Sequence, residues 1–171
     1  MISSDTHGLC IPYVVRIAPN KGHGLFAEAA IPKGTTVWRH VAGQYAVYDE
    51  RSLKALLSNM PNSEAVYVLE HIFCMPEFPE YMIRVFDDGE LTNHSDQPTL
   101  LTQTRHGYDE VSAATSTKDV STALLGNHFT LVAARGIEEG EELTMDYNDE
   151  PENPQYYDTL CEQYGVTWEW L

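Results

Sequence analysis

The apolar positions come in short runs separated by turn residues. Residues 11–17, Ile-Pro-Tyr-Val-Val-Arg-Ile, are rich in β-branched groups and predict a strand. Pro19-Asn20-Lys21-Gly22-His23-Gly24 is turn-rich, and Leu25-Phe26-Ala27 resumes a short apolar run. Ile31-Pro32-Lys33-Gly34 is a second turn before a strand at residues 35–39, and Pro32, which lacks a ladder donor, belongs to the turn. From residue 49 the period changes. Leu53, Leu56 and Leu57 fall at i, i+3 and i+4, which predicts a helix over 49–60 ended by Pro61. Val66, Leu69 and Phe73 predict another over 63–72, with Asp49 and Ser63 as N-cap candidates. Residues 80–86 read as a strand and Asp87-Asp88-Gly89 as a turn. The polar stretch 104–123 reads as a hairpin or exposed loop. Strands follow at 128–134 and 142–146, with a turn at Glu138-Glu139-Gly140 between them. Residues 154–165 close with a helix opened by Pro154.

Many short strands, few short helices and frequent glycine turns predict an α+β, mostly β fold. Regular strand–helix alternation is missing, which excludes a doubly wound sheet. The 171 residues suit one domain, and 1–171 is read as a single unit.

Composition narrows the class. Apolar residues are 43% and charged residues 21%, the balance of a globular chain. No apolar run reaches the roughly 20 residues that span a bilayer, so no membrane partner is expected. The first residues, MISSDTHGLCIPYVV, lack a basic segment followed by an apolar one, so an intracellular, cytoplasmic or nuclear, protein is expected. Cys10, Cys74 and Cys161 are odd in number and widely spaced, which predicts free thiols, neither a disulfide framework nor a zinc site. The net charge is −16, from 10 Lys+Arg against 26 Asp+Glu. Such a surface repels phosphate and attracts cations, so a basic peptide partner is expected and direct nucleic-acid binding is not. The oligomeric state is not written in the chain.

Three separated stretches carry candidate chemistry. Gly22-His23-Gly24 precedes an apolar run, and glycines there let backbone approach a ligand closely. Asn93-His94-Ser95 sets three hydrogen-bonding side chains in a row, with Pro98 soon after. Ile137 to Tyr147 runs from an acidic turn into a strand ending in Asp146-Tyr147. Each alone is a common structural pattern.

Taken in order, the three resemble the SET-domain family of lysine methyltransferases. Its first motif looks like Gly-x-Gly-Leu-Phe-Ala followed by Ile-x-x-Gly, here Gly22 to Ala27 and Ile31 to Gly34. Its second centres on Asn-His-Ser, here residues 93–95. Its third reads Ile-x-x-Gly-Glu-Glu-Leu-Thr-x-Asp-Tyr, and residues 137–147 match every named position. The resemblance spans about residues 13–149, with a helical insert at about 49–73 and an aromatic tail at 150–171.

The resemblance implies a β-clip-like fold of small curved sheets with a knot-like C-terminal crossing. It implies S-adenosylmethionine as cofactor, held by Lys21, Gly22, His23, Gly24, Leu25, Asn93 and His94. Tyr147 would be the catalytic residue, orienting methyl transfer to a lysine of a histone or other basic protein. Met145, Tyr81 and Trp168 would line the substrate channel, and no metal is implied. Four features depart from the family, one being Asp96-Gln97 where Cys-Asp or similar often follows Asn-His-Ser. Glu90 stands where Arg is frequent. Met145 replaces the frequent Phe or Tyr, and having no hydroxyl to hold a water it points towards multiple methylation. A zinc-binding cysteine cluster is missing from the tail, leaving Tyr156, Tyr157, Tyr164, Trp168 and Trp170 as candidates to close the channel. These departures keep open a second reading, a catalytically weak peptide-binding module. A hydrolase metal site built from His94, His106, His128 and Asp146 is disfavoured because no pair has a metal-motif spacing.

Overall fold

Three small sheets, not one large one, frame the computed structural model, which describes residues 7–104, 115–125, 129–147 and 152–166. In chain order the elements are β1 (Tyr13–Ala18), β2 (Gly22–Ala27), β3 (Thr36–Arg39), β4 (Tyr45–Tyr48), α1 (Glu50–Leu57), α2 (Asn62–Glu70), β5 (Ile72–Phe73) and β6 (Met82–Val85). A 3₁₀ turn at Asp88–Leu91 leads into β7 (Asn93–His94) and β8 (Leu100–Thr104). The chain continues through α3 (Thr117–Ala123), β9 (Phe129–Ala133), β10 (Glu142–Met145) and α4 (Gln155–Tyr164).

The sheet that carries the three motifs runs β1-β2-β10-β7. β1 and β2 form a hairpin, and β10 pairs antiparallel with β2 through Leu143 opposite Leu25. β7 pairs parallel with β10, Thr144 beside Asn93 and Met145 beside His94. A parallel neighbour needs a long crossover, and here about fifty residues separate the two strands. Sheets β3-β9-β8 and β4-β6-β5 complete the frame.

Alternation places the core. On β2, Leu25 and Ala27 are fully buried, and with Val37, Leu100, Ala133 and Leu143 they pack between the first two sheets. Each large aliphatic group so enclosed contributes roughly 1.5–3 kcal/mol. A second cluster joins Leu53 and Leu57 of α1, Val68 and Leu69 of α2, and Tyr157 and Leu160 of α4. A third joins Tyr45, Ile83, Phe78, Val120, Leu124 and Phe129.

The structure differs from the sequence reading at several elements. α3 occupies residues 117–123 of the stretch read as a hairpin or loop. Ser116 caps it, and buried Val120 anchors it against β4. β8 covers 100–104, paired along its whole length with β9. The glycines of the first motif lie within β2 itself. Asp49 caps α1 as expected, with Ser52 closing a capping box. Ser63 does not cap α2; Pro61 takes that position without a side-chain bond. Pro154 is the residue before α4, and Gly165 ends the helix at φ +76, the left-handed region open to glycine.

Candidate active site

The β1–β2 turn brings the first motif to the sheet surface. Gly22 sits at φ +76, which reverses the chain into β2. Gly24 serves a different purpose. A Cβ there would come within 2.7 Å of both Asn93 Nδ2 and Glu142 Oε1, so only glycine admits those side chains over the strand. The exposed His23 contributes its carbonyl, which accepts from Asn93 Nδ2 at 3.0 Å. Lys21 reaches across, its Nζ donating to the His94 carbonyl at 2.8 Å and standing 3.6 Å from Glu142 Oε2. The Leu25 side chain is fully buried, and the residue is paired with Val15 of β1 on one side and Leu143 of β10 on the other.

The second motif is set by the 3₁₀ turn. Buried Asp87 accepts from Gly89 N at 2.9 Å, from Trp38 Nε1 at 3.0 Å and from Gly8 N at 2.6 Å, tying three segments together. Thr92 closes the turn by donating its hydroxyl to the Gly89 carbonyl. Asn93 then enters β7, and its Nδ2 also donates to Glu142 Oε1 at 2.8 Å. The Ser95 amide returns to the Met145 carbonyl, and Thr99 Oγ1 accepts from the Thr144 amide. The two motifs are thus stitched along their whole contact.

The third motif ends on this seam. The Tyr147 amide donates to His94 Nδ1 at 3.2 Å, so that nitrogen is an acceptor. The ring proton then lies on Nε2, facing Asp96 Oδ1 at 3.2 Å. Asp146 Oδ1 stands 3.7 Å from His94 Nδ1. The Tyr147 hydroxyl donates to the Thr92 carbonyl at 2.6 Å, and its ring centroid lies 5.4 Å from that of His94. Asn93, His94 and Tyr147 are therefore brought together, with Lys21, Gly22, His23 and Gly24 beside them.

The expected channel residues are less gathered. Met145 is half-buried on β10, beside His94 of β7. Tyr81 packs against the third cluster, with Phe78 and Ile83. Trp168 and Trp170 lie outside the described residues, as do His106 and His128. The other tail aromatics face the helical insert: Tyr157 is buried and bonds the Leu69 carbonyl, and Tyr156 donates to the Glu80 carbonyl. Glu90 accepts from the Tyr67 hydroxyl of α2 at 2.9 Å. Burial, and then that carboxylate, push the Tyr67 phenol up.

Two residues at the site carry roles that composition did not reveal. Glu142 bridges Lys21 and Asn93, and the Thr92 carbonyl holds Tyr147. Glu142 lies inside the third motif but its partners are 49 residues and more away in sequence. Thr92 acts through a backbone atom, which no side-chain pattern marks. Together the Asn93 side-chain oxygen, an acceptor, and the Lys21 ammonium, a donor, suit a polar ligand bearing both charges.

Comparison with known proteins agrees with this geometry. Residues 22–148 match the SET domain family. The N-lysine methyltransferase KMT5A-A of Danio rerio is 28% identical over 141 residues, 80% of this chain. The chain spans only 35% of that relative's length. Among solved structures, the Neurospora SET domain protein DIM-5, a histone lysine methyltransferase, superposes with a TM-score of 0.54 at 16% identity, covering 86% of this chain and 56% of that one. KRYPTONITE in complex with mCHG DNA and SAH superposes at 0.53 and 21% identity, covering 86% and 26% respectively. These likenesses show the fold, and the family match extends across all three motifs: the chain belongs to the SET-domain family.

Proposed function

We propose that this chain is a protein-lysine methyltransferase that uses S-adenosylmethionine and acts on a lysine in a basic protein segment. The observation that carries the reading is the convergence of Asn93, His94 and Tyr147 on the parallel β7–β10 ladder, beside a glycine-lined hairpin. The residues fit the cofactor: Gly24 leaves room for Asn93 and Glu142 to meet over the strand, and the Asn93 oxygen and Lys21 ammonium suit the two charges of an amino-acid tail. When bound, S-adenosylmethionine supplies an activated methyl group.

The protein's share is position and proton control. Donating its own proton to Thr92 leaves the Tyr147 oxygen as an acceptor at a fixed place. An acceptor there can hold the N–H of an incoming lysine and set its line of approach, where small misplacement is costly. A free lysine has a pKa near 10.4, so presenting the amine at neutral pH costs roughly 4 kcal/mol. Half-buried Met145 and the aromatic ring of Tyr147 offer a poorly solvating wall that favours the neutral amine. Met145 brings no hydroxyl, which supports more than one round of methylation at the same nitrogen. Tyr81 and the tail complete the channel in this reading.

The net charge of −16 supports a basic partner, a histone or another Lys-rich segment, and opposes a phosphate backbone. The DNA seen with KRYPTONITE is therefore not carried over. An intracellular setting, cytoplasmic or nuclear, follows from such substrates. The test is mass spectrometry of basic proteins after incubation with methyl-labelled S-adenosylmethionine, with Tyr147→Phe alongside. Labelled lysine with the native chain and its near loss in the variant is the expected result. Cofactor binding without transfer to any basic protein would favour a peptide-binding module.

A further inference from the structure

We infer that Glu142 is a positioning residue that locks the Asn93 amide so that its oxygen receives the α-ammonium group of the cofactor's amino-acid tail. The inference rests on the cofactor reading above and extends it to a residue outside the expected set.

The side-chain amide of Asn93 has two N–H groups and one oxygen. Both hydrogens are taken, one by the His23 carbonyl at 3.0 Å and one by Glu142 Oε1 at 2.8 Å. Rotating the amide by half a turn would set its oxygen against a carbonyl oxygen and a carboxylate oxygen at once. Both contacts would then be repulsive, so the orientation is enforced. What Asn93 can still offer a ligand is Oδ1, an acceptor.

Glu142 makes the stronger of the two locks because its acceptor is charged, and charge-assisted bonds are roughly twice as strong as neutral ones. It also changes the oxygen it does not touch. A carboxylate drawing on the N–H side of an amide pushes electron density towards the amide oxygen, and linked bonds of this kind reinforce one another. The result is an acceptor tuned for a cation. An α-ammonium is the cation on the amino-acid tail, whereas the adenosine part carries none.

The carboxylate is itself held in place. Lys21 Nζ lies 3.6 Å from Glu142 Oε2 and donates to the His94 carbonyl at 2.8 Å. The Glu142 side chain is 20% exposed, so the pairing is sheltered from full screening. Gly24 completes the arrangement, since any Cβ would occupy the space in which Asn93 and Glu142 meet. Lys21, Gly24, Asn93 and Glu142 thus form one clamp from three strands or their ends, β2, β7 and β10.

A purely structural Glu142 and a positioning Glu142 differ in one readout. The clamp acts on the ammonium alone, so its loss must depend on whether the ligand has one. Calorimetry would measure S-adenosylhomocysteine and its analogue with the α-amino group replaced by hydrogen. The proteins would be the native chain, Glu142→Ala and Glu142→Gln, each checked by circular dichroism. The native chain is expected to bind the parent at least tenfold more tightly than the deaminated analogue. Glu142→Ala should weaken the parent by about tenfold or more and the analogue by less than about twofold, the size of one lost charge-assisted bond. Glu142→Gln keeps an oxygen for Asn93 but no charge, and should fall between; it carries the test if the alanine variant fails to fold. Equal weakening of both ligands, or of neither, would overturn the role of Glu142. A native chain that binds neither ligand would instead refute the methyltransferase reading itself, and this proposal with it.

Discussion

The Tyr147 hydroxyl donates to the Thr92 carbonyl across 55 residues of sequence, at 2.6 Å. Thr92 is 6% exposed, and its own hydroxyl is committed to Gly89, so the carbonyl cannot easily turn away. A tyrosine held this way has one orientation of its hydroxyl and one acceptor face. Removing the hydroxyl should therefore harm alignment more than binding. Tyr147→Phe is expected to lower kcat by about a hundredfold, close to 2.7 kcal/mol of barrier, while the cofactor dissociation constant moves by less than about twofold. Single-turnover transfer to a basic peptide, with calorimetry of the cofactor, separates the two.

Gly24 offers a test of close packing without any change of charge. Its backbone does not need the left-handed region, so Gly24→Ala is not a strain on φ. The added methyl would instead sit 2.7 Å from Asn93 Nδ2 and Glu142 Oε1. Neither atom belongs to a free side-chain end, because each is bonded to the other. The variant is expected to lose about 1–3 kcal/mol of stability, as overpacking does, and about tenfold or more in cofactor affinity. Urea unfolding and calorimetry would show this, and an alanine that binds like glycine would mean the clamp is loose.

How far these features are legible in the chain depends on the range of the interactions behind them. Local signals read well: Asp49 as the cap of α1, the Leu53-Leu57 stripe, and the helix between Pro154 and Gly165 each involve residues within one helix or its ends. α3 does not read as a helix because Thr117, Ser121 and Thr122 have side chains that compete for backbone bonds. It forms because Val120 is buried and Tyr45 bonds the Ser121 carbonyl, a contact made 76 residues away. Ser63 looks like a cap by type, yet the helix starts one residue earlier, behind Pro61. The site follows the same rule. Asn93, His94 and Tyr147 are visible through an ordered motif, whereas Glu142 and the Thr92 carbonyl gain their roles only when β7 lies beside β10.

The buried carboxylate of Asp87 holds the N-terminal segment, β3 and the 3₁₀ turn at once. All three of its partners are N–H donors. Asp87→Asn would keep the shape but replace one acceptor oxygen with a donor, setting N–H against N–H. The expected cost is about 1.5–3 kcal/mol, the range for bonds to a charged group. Because the turn carries Thr92 and Asn93, kcat should fall alongside stability. A urea midpoint that falls with unchanged kcat would show that the turn holds its shape without this anchor.

Acid sensitivity should trace to His40. Its side chain is 6% exposed and lies edge-on between Trp38 and Tyr45, with ring centroids 4.5 Å and 5.0 Å away. Burial pushes its pKa down from 6.5 to about 4, an effect that the nearby Phe129 backbone only partly offsets. In the unfolded chain it titrates near 6.5, so as pH falls below that value the unfolded state takes up a proton that the folded state refuses. Stability is therefore intact above about 6.5 and is lost progressively down to about 4. Between pH 7 and pH 5 the loss from this one group is about 2 kcal/mol. His40→Phe, which cannot be protonated, should flatten that slope in urea unfolding while leaving an aromatic ring against Trp38 and Tyr45. Keeping the comparison above pH 5 holds most carboxylates ionised, so the difference between the two slopes reports His40 itself. Parallel slopes would mean that the imidazole is protonated within the folded core.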